Sequence, residues 1–311
     1  MKKYVILLIS VLCIIFVGLY AKYNNFFIDK SIAIYCIVVD DNSIIEAKKI
    51  CKDISKNNRN AVFSDINNVG NYNLYVASGY KNLPKNINKD AINILYIPFF
   101  DDKDTPELLR DFDVIVVKSA SSFGHLKAIN VRTAYIPNSI DINEKTEFIP
   151  NEEIVYIGNN EDFSLSLYLI NNLNKKIDIY GEVKNKNLGK NNIISKNINY
   201  SKLKKYNLVL IDQTDEEIIH ELVNNRILEI ISQGKIPFVR YNPGIKKMFG
   251  DAIPMYYNPE HFNFELYRLL KSPNELMQRL EAITKISDIW SSDMRAKKFI
   301  ELFDIMQKKR I

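Results

Sequence analysis

The sequence predicts an α/β protein of two domains that follow a short hydrophobic segment, and three observations support this prediction. The chain has 311 residues, more than a single α/β core usually contains. Short and nearly continuous apolar runs alternate with helical patterns, which is typical of a parallel sheet covered by helices on both faces. This alternation stops at a polar stretch, residues 143–153, and then begins again.

The hydrophobic segment lies at the N-terminus. Residues 4–20 are apolar and uncharged, with Lys2 and Lys3 before them and Lys22 after them. Because a bilayer span takes about 20 residues, we expect residues 1–22 to form a membrane anchor, or alternatively a signal segment. The two leading lysines favour a cytoplasmic N-terminus, with the rest of the chain on the opposite side of the membrane.

The first predicted domain covers residues 31–142. An apolar run at residues 32–39 predicts its first strand, and the polar turn after it precedes a helix over residues 44–56 with apolar side chains at helical spacing. Further apolar runs predict strands at residues 61–63, 73–77, 92–97, 114–118 and 133–136.

The second predicted domain covers residues 152–286. Its strands are expected at residues 154–157, 177–180, 207–212, 236–240 and 254–257, and its helices at 163–173, 217–233, a short segment after Pro243, and 259–286 with a break near Pro273. A last helix within residues 287–311 is expected to pack back on the domains. Two Rossmann-like domains of this kind enclose a cleft, where ligands of such sheets normally bind.

Composition excludes two classes of function. The net charge of +5 comes from 42 basic and 37 acidic residues that are intermixed along the chain, so we expect no nucleic-acid partner. None of the three histidines has metal-ligand spacing to a cysteine or to another histidine, so we expect no metal site. Two Asp-x-Asp triplets, at residues 102–104 and 111–113, resemble divalent-cation ligands, but turn chemistry also explains them.

Glu221 and Glu229 are the strongest candidates for chemistry. Seven residues separate them, and in a helix over residues 217–233 they would share one face with Asn225. Carboxylates that point into the cleft could accept hydrogen bonds from sugar hydroxyls. Solvated acids on an amphipathic helix are the alternative explanation.

The segment that contains these glutamates resembles the donor-site element of GT-B glycosyltransferases of the group 1 class, and it is most similar to the spore-maturation (CgeB-like) branch. That family shows a Glu, seven residues, then Glu-x-x-x-x-Gly and a strand with a proline; here these are Glu221, Glu229, Gly234 and Pro237. The resemblance covers about residues 154–303. Further matching segments lie at residues 156–159, 179–181, 242–249 and 256–260.

The resemblance implies a role for each matched residue. Glu229 would bind the ribose hydroxyls of the donor nucleotide, and Glu221 would contact the donor sugar as the catalytic residue. Backbone amides after Pro243 and Gly244 could approach the diphosphate, because glycine allows close contact and a helix N-terminus favours anions. Arg226 could contact the diphosphate or form a salt bridge with either glutamate. The remaining donor-binding candidates are Gly158, Asn159, Gly181 and Asn225.

One segment departs from the family pattern. Many relatives carry an arginine and a lysine soon after the first strand of this domain, whereas residues 158–162 contain acids. In the first domain, Ser122 and His125 follow a strand and begin a helix. They could contact an acceptor, or they could be a helix cap and an exposed histidine.

We therefore expect a glycosyltransferase that moves a sugar from a nucleotide-diphosphate donor to a glycan, lipid or protein, without a cofactor or metal. An exported two-lobed solute-binding protein and a catalytically degenerate transferase that acts as a scaffold are the alternatives. The membrane would be a partner through the N-terminal segment. Because nucleotide sugars are cytoplasmic, substrate access favours domains on the cytoplasmic face, whereas the charge bias favours the other side.

Overall fold

The computed structural model describes residues 32–57, 59–65, 70–79, 83–100, 106–141, 148, 153–158, 165–173, 177–181, 192–195 and 200–310. The segment expected to be an anchor, residues 1–22, lies outside these ranges. Among the residues inside them, no helix is long and apolar enough to cross a bilayer. The expected membrane-associated localisation is corrected accordingly, because no described helix supports it.

The first sheet contains six parallel strands in the order β2-β1-β3-β4-β5-β6. These strands are β1 (Ile34–Val38), β2 (Ala61–Ser64), β3 (Tyr72–Val76), β4 (Ile92–Ile97), β5 (Val114–Val117) and β6 (Thr133–Tyr135). The helices of this part of the chain are α1 (Ile44–Lys56), α2 (Pro106–Leu109) and α3 (Ala120–Ala128). The strand order reverses between β1 and β3, which is the point where ligands of doubly wound sheets bind.

Both faces of the first sheet are covered. Along β4, Ile94 and Tyr96 point into a core that is shared with α1, while Leu95 and Ile97 belong to a second core that includes Leu126 of α3. Because side chains alternate along a strand, two apolar cores require strands that are apolar at every position. This explains the unbroken apolar runs in the sequence.

The second sheet also contains six parallel strands, in the order β12-β11-β10-β7-β8-β9. These are β7 (Ile154–Ile157), β8 (Asp178–Tyr180), β9 (Asn192–Ser195), β10 (Leu208–Ile211), β11 (Ile236–Arg240) and β12 (Met255–Tyr256). The order is that of a dinucleotide-binding Rossmann sheet, with the switch point between β7 and β10. The sequence predictions did not include β9.

The helices of the second half are α4 (Leu165–Asn171), α5 (Asp215–Ile219), α6 (Asn225–Ser232), α7 (Pro243–Phe249), α8 (Pro259–Leu270), α9 (Pro273–Ile289) and α10 (Ser292–Arg310). The prediction of one helix over residues 217–233 is wrong, because α5 and α6 are separate. A Thr214–Glu217 capping box begins α5, and the side chain of Asn224 caps a new helix by accepting the N–H of Arg226 at 2.7 Å.

The last helix, α10, packs on the first sheet although it follows the second in sequence. Phe299 and Phe303 are fully buried there, against Tyr96 and Tyr72 respectively. The buried Arg295 bonds Glu46 of α1 at 2.6 Å and also pairs with Asp53 at 3.3 Å. These contacts return the C-terminal end of the chain to the first domain.

Candidate functional site

The carboxyl ends of β7 and β8 meet at two glycines. Gly181 follows β8 with φ +127°, and a β-carbon there would overlap the carbonyl oxygen of Gly158. The N–H of Gly158 in turn donates to the carbonyl of Tyr180 at 3.2 Å. These two predicted donor-site residues are therefore adjacent at the edge of the sheet where ligands bind. Asn159 lies outside the described residues.

Glu221 lies in the turn between α5 and α6, in the left-handed conformation with φ +52°. This conformation is uncommon for a residue with a side chain and costs on the order of 1 kcal/mol. The N-terminus of α7 packs directly on this turn, because a β-carbon at Gly244 would overlap the carbonyl oxygen of Glu221. The close approach therefore requires glycine at position 244.

Asn242 joins these two segments and was not among the sequence candidates. It is fully buried. Its side-chain amide donates to the carbonyls of Leu222 at 3.0 Å and Glu217 at 3.3 Å, and its oxygen accepts from the N–H groups of Gly244 at 2.8 Å and Ile245 at 3.4 Å. The N–H groups of Gly244 and Ile245, after Pro243, therefore have an internal hydrogen-bond partner.

The charge of Glu221 acts on Tyr135 of the first domain. Burial, together with the negative charge of Glu221, raises the pKa of Tyr135 to about 12. Tyr135 belongs to β6, and its hydroxyl is shielded from solvent without a hydrogen-bond partner among the described residues. The ammonium group of Lys247, on α7, lies 5.3 Å from the centre of the Tyr135 ring and 6.0 Å from that of Phe123. Groups from both domains therefore meet around Glu221.

Glu229 is exposed and lines a pocket of about 330 Å³ that both domains share. Asn225 also lines it, and the amide of Asn138 donates to the side-chain oxygen of Asn225 at 2.6 Å. The hydroxyl of Ser139 and the side-chain oxygen of Asn138 are shielded from solvent there without a hydrogen-bond partner among the described residues. Glu221 is not part of this pocket lining. The two glutamates thus reach the same boundary between the domains at different places.

The charge of Arg226 acts on the carboxyl group of Glu217. Burial raises the pKa of the Glu217 carboxyl, and the N–H of Thr214 and the charge of Arg226 oppose that rise. The guanidinium of Arg226 therefore lies near Glu217. The Glu217 carboxylate also accepts the side-chain amide of Asn224 at the start of α6.

The structure places the side chains of Ser122 and His125 against Phe100. Ser122 is 2% exposed, and its hydroxyl accepts the N–H of Phe100 at 2.9 Å and donates to the carbonyl of Phe100 at 3.2 Å. The ring of His125 stacks on that of Phe100, with the ring centres 6.0 Å apart. Both side chains hold the loop before α3 in place, which is a packing role.

Two neighbouring serines contact the second domain instead. The hydroxyls of Ser119 and Ser121 both donate to the carbonyl of His220, at 2.5 and 3.1 Å. The His220 ring stacks on Phe99 with ring centres 4.2 Å apart and an angle of 19° between the planes. The run of serines after a strand indicated a polar turn in this region, but pattern alone could not show which hydroxyls face the cleft.

Of the two Asp-x-Asp triplets, the one at residues 111–113 lies among the described residues. Asp113 pairs with Arg310 at 3.0 Å and accepts the N–H of Asn93, so it ties α10 to the first sheet. Residues 102–104 lie outside the described residues. Within the described part of the chain, no group of three His, Cys, Asp or Glu side chains could hold a metal ion.

Two doubly wound sheets define a protein of the GT-B fold. The second sheet has an edge where ligands bind, and polar groups of both domains meet at the boundary between the domains, here called the seam. Solved structures of this fold support that assignment. The chain matches an α-glucosyltransferase in complex with UDP and a 13-mer DNA with a TM-score of 0.61 and 10% identity, over 88% of this chain and 100% of that one.

Two further structures have the same fold. The Anabaena protein HepE, in complex with UDP and glucose, matches with a TM-score of 0.53 and 10% identity, over 87% of this chain and 99% of that one. TarM of S. aureus, in complex with UDP and other ligands, matches with a TM-score of 0.55 and 16% identity over 74% of this chain. The chain spans 55% of the length of TarM. No protein-family model and no curated protein matches this sequence.

Proposed function

We propose that the protein is a glycosyltransferase that moves a sugar from a nucleoside-diphosphate donor to a glycan, lipid or protein acceptor. The observation that carries the proposal is the position of Glu221 and Glu229, which reach the seam between two doubly wound sheets with the seven-residue spacing of the group 1 donor site. The order of the matched segments further favours the CgeB-like branch. UDP is bound in the structures of TarM, HepE and the α-glucosyltransferase.

Glu229 is the proposed ribose ligand. It is exposed on α6 and lines the shared pocket, where a carboxylate can accept hydrogen bonds from two neighbouring hydroxyls. The unpartnered hydroxyl of Ser139 and side-chain oxygen of Asn138 lie in the same lining. This pocket therefore suits a sugar ring with several hydroxyls.

Glu221 is the proposed contact of the transferred sugar. In the reaction, a bond forms between an acceptor hydroxyl oxygen and the anomeric carbon while the bond from that carbon to the diphosphate breaks. The diphosphate leaves with the electron pair and takes up the proton of the acceptor hydroxyl. Cations that face the developing charge stabilise this step. Lys247, which reaches the seam from α7, and Arg226 are the proposed partners of the diphosphate. They would take the place of the basic pair that is missing after β7.

The experiment is calorimetric titration of the protein with UDP, GDP and their sugar conjugates. We expect saturable binding of at least one nucleoside diphosphate. Loss of charge-assisted hydrogen bonds in Glu229→Ala is expected to weaken this binding by about tenfold or more. Glu281→Ala removes an exposed glutamate from α9 and is the matched control, for which no change is expected.

The outcomes separate the alternatives. If the folded wild-type protein binds none of these nucleotides, the proposed function is wrong and a solute-binding protein becomes the better hypothesis. If it binds a sugar conjugate but releases no diphosphate when glycan, lipid and protein acceptors are offered, the scaffold alternative is favoured. Equal loss of affinity in Glu229→Ala and Glu281→Ala would contradict the placement of the ribose on α6.

A further inference from the structure

We propose that Ser119, Ser121 and Phe99 of the first domain are positioning residues that hold Glu221 in its sugar-contacting conformation. The inference rests on the proposed function, because it concerns the carboxylate assigned there to the donor sugar. It goes beyond that function by making recognition of the sugar in one domain depend on contact with the other domain.

The first observation is that the first domain contacts the peptide group whose carbonyl belongs to His220. The carbonyl of His220 accepts the hydroxyls of Ser119 at 2.5 Å and Ser121 at 3.1 Å, and both serines lie at the start of α3 in the first domain. Ser119 is fully buried. The His220 ring stacks on Phe99, with ring centres 4.2 Å apart. The first domain therefore holds both the backbone and the side chain of His220.

The second observation is the conformation of the next residue. The carbonyl of His220 belongs to the planar peptide that joins His220 to Glu221. Contacts that hold this carbonyl therefore also hold the peptide plane from which the φ of Glu221 is measured. That φ is +52°, and the second domain supports it as a helix C-cap, in which the N–H groups of Glu221 and Leu222 donate to the carbonyls of Ile218 at 3.1 Å and Glu217 at 2.8 Å. On the other side, the carbonyl of Glu221 packs against Gly244 of α7. Both domains thus hold the peptide that joins His220 to Glu221.

The consequence is a mechanical link between the domains and the donor site. The first domain adds its contacts to the hydrogen bonds by which the second domain already holds the peptides that flank Glu221. If the domains separate, His220 loses two hydrogen bonds and a ring contact, and the turn that carries Glu221 keeps only the hydrogen bonds of the second domain. Sugar recognition is then weakened, while the ribose ligand on α6 keeps its place.

Ser119 allows this role to be separated from a structural one. Its hydroxyl oxygen accepts the N–H of Ser122 at 3.0 Å and so caps α3, while its hydrogen is donated to His220. Asparagine and aspartate have nearly the same shape and both cap helices, but only asparagine can also donate a hydrogen bond. The pair Ser119→Asn and Ser119→Asp therefore keeps the cap and the volume constant and changes the donor and the charge. The double variant Ser119→Ala with Ser121→Ala removes the donors without adding a charge.

The experiment measures how much the sugar adds to affinity. The protein is titrated with UDP, GDP and their glucose, N-acetylglucosamine and mannose conjugates, and the affinity for the best conjugate is divided by that for its diphosphate. We expect Ser119→Asp, the double variant Ser119→Ala with Ser121→Ala, and Glu221→Gln each to lower this ratio by about tenfold, with diphosphate binding unchanged. Ser119→Asn is expected to retain the greater part of the ratio.

A control variant measures the effect of losing a helix cap alone. Asn258 caps α8 by accepting the N–H of His261 at 2.8 Å, away from the junction, so Asn258→Ala should lower stability and leave the ratio unchanged. An unchanged ratio in Ser119→Asp, or equal ratios in the Asp and Asn variants, would overturn the inference and leave the proposed function standing. Failure of the wild type to bind any nucleotide would overturn the proposed function, and this inference with it.

Discussion

Asn242→Ala tests whether one buried side chain holds the Glu221 turn against α7. The wild-type amide makes four hydrogen bonds, to Glu217, Leu222, Gly244 and Ile245, from a fully buried position. Alanine removes the helix cap, at a cost of about 1 kcal/mol. The carbonyl of Leu222 also loses its donor, at about 1–3 kcal/mol for a group that water cannot reach, whereas the carbonyl of Glu217 keeps the N–H of Leu222 at 2.8 Å. We expect a total loss of about 2–4 kcal/mol.

The assay is urea unfolding followed by circular dichroism, with Asn258→Ala as the matched control. Asn258 is an exposed cap with one hydrogen bond, to the N–H of His261, so its loss should cost about 1 kcal/mol. Asn242→Asp keeps the acceptor for Gly244 but loses the amide donor, and it is expected to be destabilised as well. Equal losses in Asn242→Ala and Asn258→Ala would refute the reasoning, because Asn242 would then act as a cap and nothing more.

Three further predictions concern how α10 is attached to the first domain. Arg295→Met leaves the Glu46 carboxylate without its arginine partner, so we expect the free energy of unfolding in urea to fall by about 3–5 kcal/mol. The control Lys297→Met removes an exposed ion pair and should lower it by less than about 1 kcal/mol. Burial raises the pKa of Glu46, but the charges of Lys118 and Arg295 outweigh it, and the net shift is downward from 4.5. The stability that Glu46 contributes is therefore present above pH 4.5 and is lost as the pH falls through the lower folded pKa, so Glu46→Gln should differ from wild type at pH 7 and approach it in acid. Phe299→Ala empties a fully buried site and should cost about 3–5 kcal/mol, whereas Phe264→Ala, at a position 63% exposed, should cost less than about 1 kcal/mol by the same measurement.

The sheets were the most predictable part of the fold. Apolar runs placed β1, β4, β7 and β11 to within two residues, because a strand buried on both faces must be apolar at every position. Helix α1 was predicted with its observed bounds, since its turn residues and apolar spacing agree. The strand β9 was missed, because its four residues, Asn192–Ser195, include only two apolar side chains.

The candidate site was less predictable, and the helix proposed over residues 217–233 shows why. Its apolar spacing continues across the break, so periodicity alone indicates one helix. The break depends on Asn224, whose side chain can cap a helix or point to solvent with equal ease in a sequence. Similarly, the serines around the start of α3 are alike in pattern, and only Ser122 was a candidate. Only packing decides that Ser122 bonds Phe100 while Ser119 and Ser121 bond His220.

The sequence by itself determined the α/β class, the two repeated sheets and the spacing of Glu221 and Glu229, because these follow from local periodicity and order along the chain. The tertiary structure alone decided the bonding of His220 to Ser119 and Ser121, the role of Asn242 and the return of α10 to the first domain. Each of these depends on groups that are far apart in sequence and meet only in the folded chain. A one-dimensional pattern does not encode which distant partner will satisfy a polar group.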